Sequence, residues 1–578
     1  MNDGLMLISS ATQRNWEKLD EAGSDRLKRR ANKTRSGKFI IPTNYISAGG
    51  MESLINQLAV CSYPVKDIFY NLCLKKLSNI RNNANVKRFV SEYDCKRQID
   101  FDVPDRLLMD AGIDWLGYLY QFSIPEGQRN LNGQYYTNYC IVKEMLSCVR
   151  VQSRHSFFDP CCGSGAFLMN VGADSLSQLY GVDNDEIAIM IAKANLITLY
   201  PDDPVYPQLF CEDYLDDSVF SNSMIRGKRF DFIVTNPPWG VSKTHHYVSD
   251  FIDSGERSSL FFVKASAQLE AGGQMSFLMP SSLLKIKVHQ DFRSFVMTKT
   301  KIEEISLFNE KFNGVYTDFF CIRVSGQDSL TEQSYCVRKN SQLIKVHKTV
   351  SGNEVDIELN DSSEQEILAL IDAKGNDNLS NSLWALGIVT GDNKKKLHKE
   401  QTEGLEAIYT GKDILKYSLK GPSNYIQYDR TQLQQCAKDE YYRCPEKLVY
   451  KFISKSLCFA YDDTSSLFLN SANILIPRIQ GMSIKTVLAF LNSELFSYYY
   501  SKKFTDIKIL KGNLMTMPFP KITSIQDAEI TGMVDRVLKG EKQFIEVIDD
   551  YIYGLYGFTS SIINKIKKEL YGNFDVSA

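Results

Sequence analysis

Apolar residues recur every three to four positions from Ile113, placing Leu116, Leu119 and Tyr120 on one face, and again through Ile141, Met145 and Val149. Both stretches are predicted as amphipathic helices, separated by a polar Gly/Asn-rich loop over 127–133. The period then changes. Short apolar runs predict strands at 156–158, 178–182, 209–211, 230–234 and 275–279, with helices at 187–199 and 260–269 and a turn at Gly272-Gly273. Strands alternating with helices at this spacing imply parallel βαβ units and an α/β, doubly wound sheet. After about residue 325 polar loops, Tyr-rich short strands and lysines predict a separate α+β domain. The tail is helical again, with Ile545, Ile548, Ile552 and Leu555 on one face. The expected organisation is a helical N-terminal region with a basic arm (1–105), an α/β domain (106–325), a connecting segment (326–379), an α+β domain (380–525) and C-terminal helices (526–578).

Composition narrows the class. Of 578 residues, 43% are hydrophobic and 24% charged, the balance of an ordinary globular chain rather than a disordered or fibrous one. No run approaches the roughly 18 apolar residues of a spanning helix. The first ten residues lack a basic stretch ahead of an apolar core, so no secretory leader is expected. Thirteen cysteines without a C-x-x-C pattern argue against a disulfide framework or zinc ribbon and for a reducing, cytoplasmic setting; no metal is expected.

Net charge is -2, but it is unevenly placed. Seven basic residues and no acid lie between Arg26 and Lys38. Residues 151–220 carry eleven acids and two bases, while 385–455 and 495–521 each carry a net +4. An acidic middle between basic flanks suits a cationic small molecule at the centre and a polyanion gripped from both sides.

Asp159-Pro160-Cys161-Cys162-Gly163-Ser164-Gly165 stands at the first strand-to-helix turn, where Gly163 and Gly165 let backbone approach a ligand. Asp183 ends the second strand, placed for ribose hydroxyls, and Asp213 follows the third, within reach of an adenine amino group. There is no phosphate-gripping lysine motif. An acidic crevice of this kind suits S-adenosylmethionine, a nucleoside with a sulfonium charge, better than a dinucleotide. Pro160-Cys161 raises a thiol nucleophile, as in cytosine carbon-5 chemistry, but its place in the cofactor loop favours packing roles for both cysteines.

The fourth strand runs into Asn236-Pro237-Pro238-Trp239. An aromatic amine is a weak nucleophile because its lone pair is delocalised. Two acceptors, the Asn236 side-chain oxygen and the Pro237 carbonyl, can draw its protons aside, and consecutive prolines stiffen the turn that aims them. Trp239 offers a stacking plate for a base, which must leave a duplex to reach such a site.

In this order the motifs resemble those of the gamma-type N6-adenine DNA methyltransferases of restriction–modification systems. Asp114-Trp115-Leu116-Gly117-Tyr118-Leu119-Tyr120 is similar to that family's lead-in helix, and Gly133-Gln134-Tyr135-Tyr136-Thr137 to its cofactor-gripping turn, although Asn138 stands where the family has Pro. The resemblance implies a Rossmann-like methyltransferase domain with S-adenosylmethionine contacts at Tyr135, Thr137, Asp159, Gly163, Gly165, Asp183 and Asp213. Asp183 stands where Glu is commoner. It further implies catalysis by Asn236, Pro237 and Trp239, and packing of Phe312, in Phe312-Asn313-Gly314-Val315, on the flipped adenine. A C-terminal target-recognition domain would begin near Gly387-Ile388-Val389-Thr390-Gly391. Double-stranded DNA is the implied partner, with a restriction endonuclease or specificity partner beside it.

Reading bases beside the flipped one needs groove and phosphate contacts. Lys394, Lys395, Lys412, Arg430, Lys447, Lys502, Lys503 and Lys511 are the candidates. Methylation of RNA or of protein glutamine is an alternative that uses the same Asn-Pro-Pro turn. A fused nuclease built from Asp67, Asp94 and Lys96 is another.

Overall fold

The structure, a computed structural model, describes residues 53–572 apart from 55–56, 59–60, 62, 81–82, 94–96, 110–111, 125–136, 218–223, 242–246, 309–317, 327–331, 340–341, 350–355, 455 and 505–507. Two compact units divide after Glu358. No described helix is long and apolar enough to cross a membrane.

Among the described residues the first unit is built on nine strands: β1 (Phe157–Asp159), β2 (Leu179–Asp183), β3 (Gln208–Cys211), β4 (Phe230–Thr235), β5 (Leu269–Pro280), β6 (Thr300–Leu307), β7 (Phe319–Gly326), β8 (Glu332–Lys339) and β9 (Gln342–Thr349). They lie in the order β3-β2-β1-β4-β5-β7-β6-β8-β9. β1 to β5 are parallel, as the alternation of elements predicts. β7 enters antiparallel between β5 and β6. The chain order reverses between β1 and β4, which pair at Phe157↔Phe232 and Phe158↔Ile233. That reversal opens a crevice at the carboxyl ends of the two strands, where open α/β sheets bind ligands.

Two expectations are corrected here. Gly272-Gly273 is not a turn before a strand. It lies in a bulge within β5, where residues 270–273 sit opposite Asp231 between the pairs Phe230↔Leu269 and Phe232↔Gln274. Gly272 takes φ +82, and a Cβ on Gly273 would come 2.9 Å from the Asp231 carbonyl oxygen, so two glycines keep the strand continuous through the bulge. The stretch 326–379 is likewise more than a connector. β8 pairs parallel with β6 and β9 antiparallel with β8, so the catalytic sheet runs on to Thr349.

The helices of this unit include α1 (Val65–Leu77), α2 (Ala84–Glu92), α3 (Trp115–Ser123), α4 (Tyr139–Leu146), α5 (Ala166–Asn170), α6 (Glu186–Leu199), α7 (Arg257–Ser266) and α8 (Gln290–Lys299). Short polar side chains start several of them. Asn83 accepts from the Asn85 and Val86 amides, and Asp185 from those of Ile187 and Ala188. The N-terminal helices are integral to the unit: Leu72, Cys73 and Leu77 of α1 share one core with Trp115 and Leu116 of α3 and Ile191 and Ala194 of α6.

The second unit holds α9 (Ser362–Lys374) and nine short strands, β10 (Gly375–Asp377), β11 (Leu383–Leu386), β12 (Glu406–Tyr409), β13 (Asn424–Ile426), β14 (Lys447–Lys451), β15 (Phe459–Asp462), β16 (Leu467–Phe468), β17 (Ala472–Ile476) and β18 (Phe519–Pro520). They form sheets ordered β11-β17-β14-β15, β13-β12-β16 and β10-β18. Helices α10 (Ile484–Asn492), α11 (Glu494–Lys503), α12 (Ser524–Leu538), α13 (Phe544–Tyr556) and α14 (Ser560–Tyr571) complete it. The predicted tail stripe faces one core: Ile548 and Ile552 are fully buried, and Ile545 and Leu555 pack against it partly buried. Ile530 and Val534 of α12 bury with Leu448, Leu475 and Phe490, so residues 526–571 share the core of the α+β domain instead of forming a separate one.

Candidate active site

The crevice between β1 and β4 collects the motif residues. After β1 the chain turns through Gly163 at φ +51 and Gly165 at φ +93, left-handed conformations that disfavour any side chain. Gly165 is the N-cap of α5. A Cβ on Gly163 would meet no protein atom, so its backbone faces open space. The Asp183 carboxylate locks the loop, accepting from the Gly163 amide at 2.8 Å and from the Asp185 amide at 3.0 Å. The Cys161 thiol lies 3.9 Å from the oxygen that accepts from Gly163.

Burial pushes the Asp183 carboxyl up to about 6 and that of Asp159 to about 7, partly opposed by their backbone hydrogen bonds. Asp159 is 1% exposed and accepts from the Cys161 amide, so it shapes the loop from beneath. Asp213 is half-buried after β3 and accepts from the Leu215 amide. Cys162 is buried in the core and Cys161 half-buried beside Asp183. Burial drives both thiols well above their ordinary range, away from the thiolate a nucleophile needs.

At the end of β4 the Asn236 Nδ2 donates to the Thr137 hydroxyl at 3.1 Å. This sets the amide with its NH2 toward Thr137 and its carbonyl oxygen turned away from it. Pro237 is buried. Trp239 is half-buried and tied to the sheet: its indole N–H donates to the Leu278 carbonyl at 3.2 Å, and its ring lies 6.0 Å from that of Phe319. Tyr135 and Phe312 lie outside the described residues.

Two residues that sequence reasoning missed hold the far side of this turn. Glu256, buried, accepts from the Gly240 amide at 2.6 Å, and burial raises its carboxyl. Arg257 donates from Nη2 to the Trp239 carbonyl at 2.8 Å and from Nε to that of Gly240 at 3.2 Å. Glu256-Arg257 had only one visible signal, an ion pair just before an apolar helix, which many exposed helix starts share.

Residues 111–349 match the N-6 DNA Methylase family, and residues 406–519 match the TaqI-like C-terminal specificity domain. Over residues 111–349 the chain is similar to the N-6 DNA methylases. Among curated relatives, the Type II methyltransferase M.VspI of Vibrio sp. (strain 343) is 27% identical over 315 residues, 52% of this chain and 75% of that protein. The Type II methyltransferase M.HincII of Haemophilus influenzae is 29% identical over 203 residues, covering 33% of this chain and only 37% of its own length. Among solved structures, the Type IIL restriction-modification enzyme MmeI in complex with DNA has a TM-score of 0.57 at 12% identity, covering 90% of this chain and 97% of that one, a likeness of fold.

In this methylase the lysines proposed for DNA divide sharply. Lys447 cannot meet a phosphate. Its side chain is 0% exposed, its ammonium lies 2.5 Å from the equally buried Asp462 carboxylate, and it donates to the Tyr442 carbonyl. Lys502, nearly buried, pairs with Glu364 and Glu569. Lys503 pairs with Asp372 and Arg430 with Asp439. Lys447 and Lys502 serve as internal ties, whereas the Lys503 and Arg430 pairs lie at the exposed surface. Lys394, Lys395, Lys412 and Lys511 are exposed, with Lys511 placed over the Trp384 ring.

Proposed function

We propose that this chain transfers a methyl group from S-adenosylmethionine to the N6 amino group of an adenine flipped out of double-stranded DNA, at a sequence chosen by its C-terminal specificity domain. The observation that carries the reading is the Asn236 amide, set by Thr137 at the end of β4, beside the glycine loop of β1 and the Asp183 that follows β2. Asp183 is placed to take ribose hydroxyls, the open backbone at Gly163 to take the nucleoside edge, and Asp213 to take the adenine ring of the donor. The acidic crevice favours the sulfonium charge.

Asn236 and the Pro237 carbonyl accept the two amine protons, which localises the nitrogen lone pair. The nitrogen then attacks the methyl carbon as the carbon–sulfur bond breaks. The donor, when bound, would supply an electrophilic methyl on a sulfonium that departs as a neutral thioether, and the excess amine proton passes to solvent. Orientation and fixed dipoles supply most of the acceleration. Arg257 and Glu256 hold the turn that aims both acceptors. Trp239 and Phe312 are assigned to the base.

The specificity domain weighs against RNA or protein glutamine as substrate. Methylation-aware sequencing of DNA from cells expressing the chain tests the whole reading: N6-methyladenine at one recurrent site is expected, and unmodified DNA together with methylated RNA would overturn it. Exchange of residues 380–525 for the matching segment of a relative with another site should move methylation to the donor's sequence.

A further inference from the structure

Below the glycine loop a buried polar chain links the motif residues Asp114 and Ser164 to Asn195 and Lys76, which lie outside the motifs. Lys76, on α1, is 1% exposed. It occupies an apolar stripe with Phe69, Leu72 and Cys73, where a lysine is costly unless its charge is answered. Its ammonium donates to the Asn195 side-chain oxygen on α6 at 2.8 Å and to the Ile113 carbonyl at 3.3 Å. The Asn195 Nδ2 donates to Asp114 at 2.7 Å and to the Ser164 carbonyl at 3.0 Å. Asp114, itself buried, also accepts from the Gly117 amide at 2.8 Å and from the Ser164 hydroxyl. Ser164 stands between Gly163 and Gly165, so the loop is gripped at its centre through both its carbonyl and its hydroxyl. A Cβ on Gly117 would fall 2.1 Å from the Ser164 oxygen, so the approach of α3 to the loop is closed to larger residues.

We propose that Lys76 is a positioning residue for the methyl donor: through Asn195 and Asp114 it holds Ser164, and with it the Gly163–Gly165 backbone, in the shape that receives S-adenosylmethionine. The N-terminal helical layer is thereby part of the scaffold of the cofactor site. Lys76 balances the Asp114 charge in a place that water does not reach. Without it a buried carboxylate faces the loop uncompensated.

This rests on the reading of S-adenosylmethionine as methyl donor, and wild-type calorimetry with that compound tests the reading first. No binding by the wild type overturns the reading itself. With wild-type binding in hand, K76M is expected to weaken donor affinity about tenfold and raise its KM, with a smaller change in kcat at saturating donor. K76M/D114N, which removes both charges, should recover affinity to within about threefold of wild type. S164A, a small change that keeps the fold even where K76M does not, should weaken donor binding about fivefold with DNA affinity unchanged. Donor affinity within twofold of wild type in S164A, or in a folded K76M, overturns the proposal. So does a K76M/D114N protein no better than K76M, since a purely packing role would be worsened by a second change.

Discussion

The glycine loop of the first unit and the basic residues of the second are both polar features placed on short elements, yet the sequence located the loop and could not tell that Lys447 and Lys502 are buried. The loop works through backbone shape. Gly163 and Gly165 adopt positive φ, and Asp183 accepts from the Gly163 amide, a relation set by local chain geometry. The lysines work through long side chains whose ends travel far from their positions in sequence. Lys447 finds Asp462 across two strands, and Lys502 finds Glu364 and Glu569, 138 and 67 residues away. A count of positive charge says nothing about which charges are already answered inside the fold.

The largest effect expected from the comparison is on the loop's neighbour. Asn236→Ala should bring methyl transfer to background, a loss beyond about a thousandfold, because one acceptor cannot hold both amine protons and even a single lost transition-state hydrogen bond costs about 10²–10³. DNA and donor binding should persist. Turnover within tenfold of wild type in a radiolabelled-methyl assay would remove Asn236 from the chemistry.

Lys447→Met sharpens the other side. Breaking a fully buried pair should destabilise the chain by about 3–5 kcal/mol in urea unfolding. If Lys447 met phosphate instead, stability would hold and DNA affinity would fall.

Asp183→Ala should weaken donor binding by about 1.5–3 kcal/mol through loss of charge-assisted hydrogen bonds, measured by calorimetry. Its pH dependence has a definite sign. The folded carboxyl is raised to about 6, so affinity should be level above that pH and fall below it as the group protonates. For the unliganded fold the sign is opposite. A carboxyl raised from its ordinary value favours the fold at low pH, and that contribution is lost as pH rises through about 6 for Asp183 and about 7 for Asp159. Protection by the donor in thermal unfolding should therefore grow between pH 5 and pH 8.

The smallest effects belong to exposed lysines. Neutralising Lys394, Lys395 and Lys412 together should lower affinity for all DNA sequences alike and reduce the salt slope by about one for each phosphate no longer neutralised. Arg430→Ala should do less, since Asp439 already holds that guanidinium. An unchanged slope in the triple variant would move phosphate binding to other residues.

The sheet, the loop, the Asn-Pro-Pro-Trp turn and the family were legible because each depends on local period or on residues that alone permit a backbone shape. Other features depended on packing between distant segments. β8 and β9 read as connector because Glu332–Lys339 and Gln342–Thr349 mix charge with apolar residues, and only the pairing with β6 makes them sheet. Lys76 did leave a trace, a cation on an apolar helical stripe, but its partner Asn195 lies 119 residues on. Asp185, two residues after Asp183, is engaged as the cap of α6 and by the Tyr120 hydroxyl at 2.8 Å.

The extension of the sheet to β9 also bears on self-association. Among the described strands β9 ends the sheet, presenting eight residues of backbone with no neighbour on their outer side. A long, apolar rim of that kind recruits strands from other chains. Here Lys345 and Lys348 interrupt the apolar run Leu343, Ile344 and Val346, and strand-to-strand growth along that rim would bring like charges of successive copies together. Replacing both by Val or Thr would leave the catalytic crevice untouched and make the methylase prone to aggregate as it is concentrated.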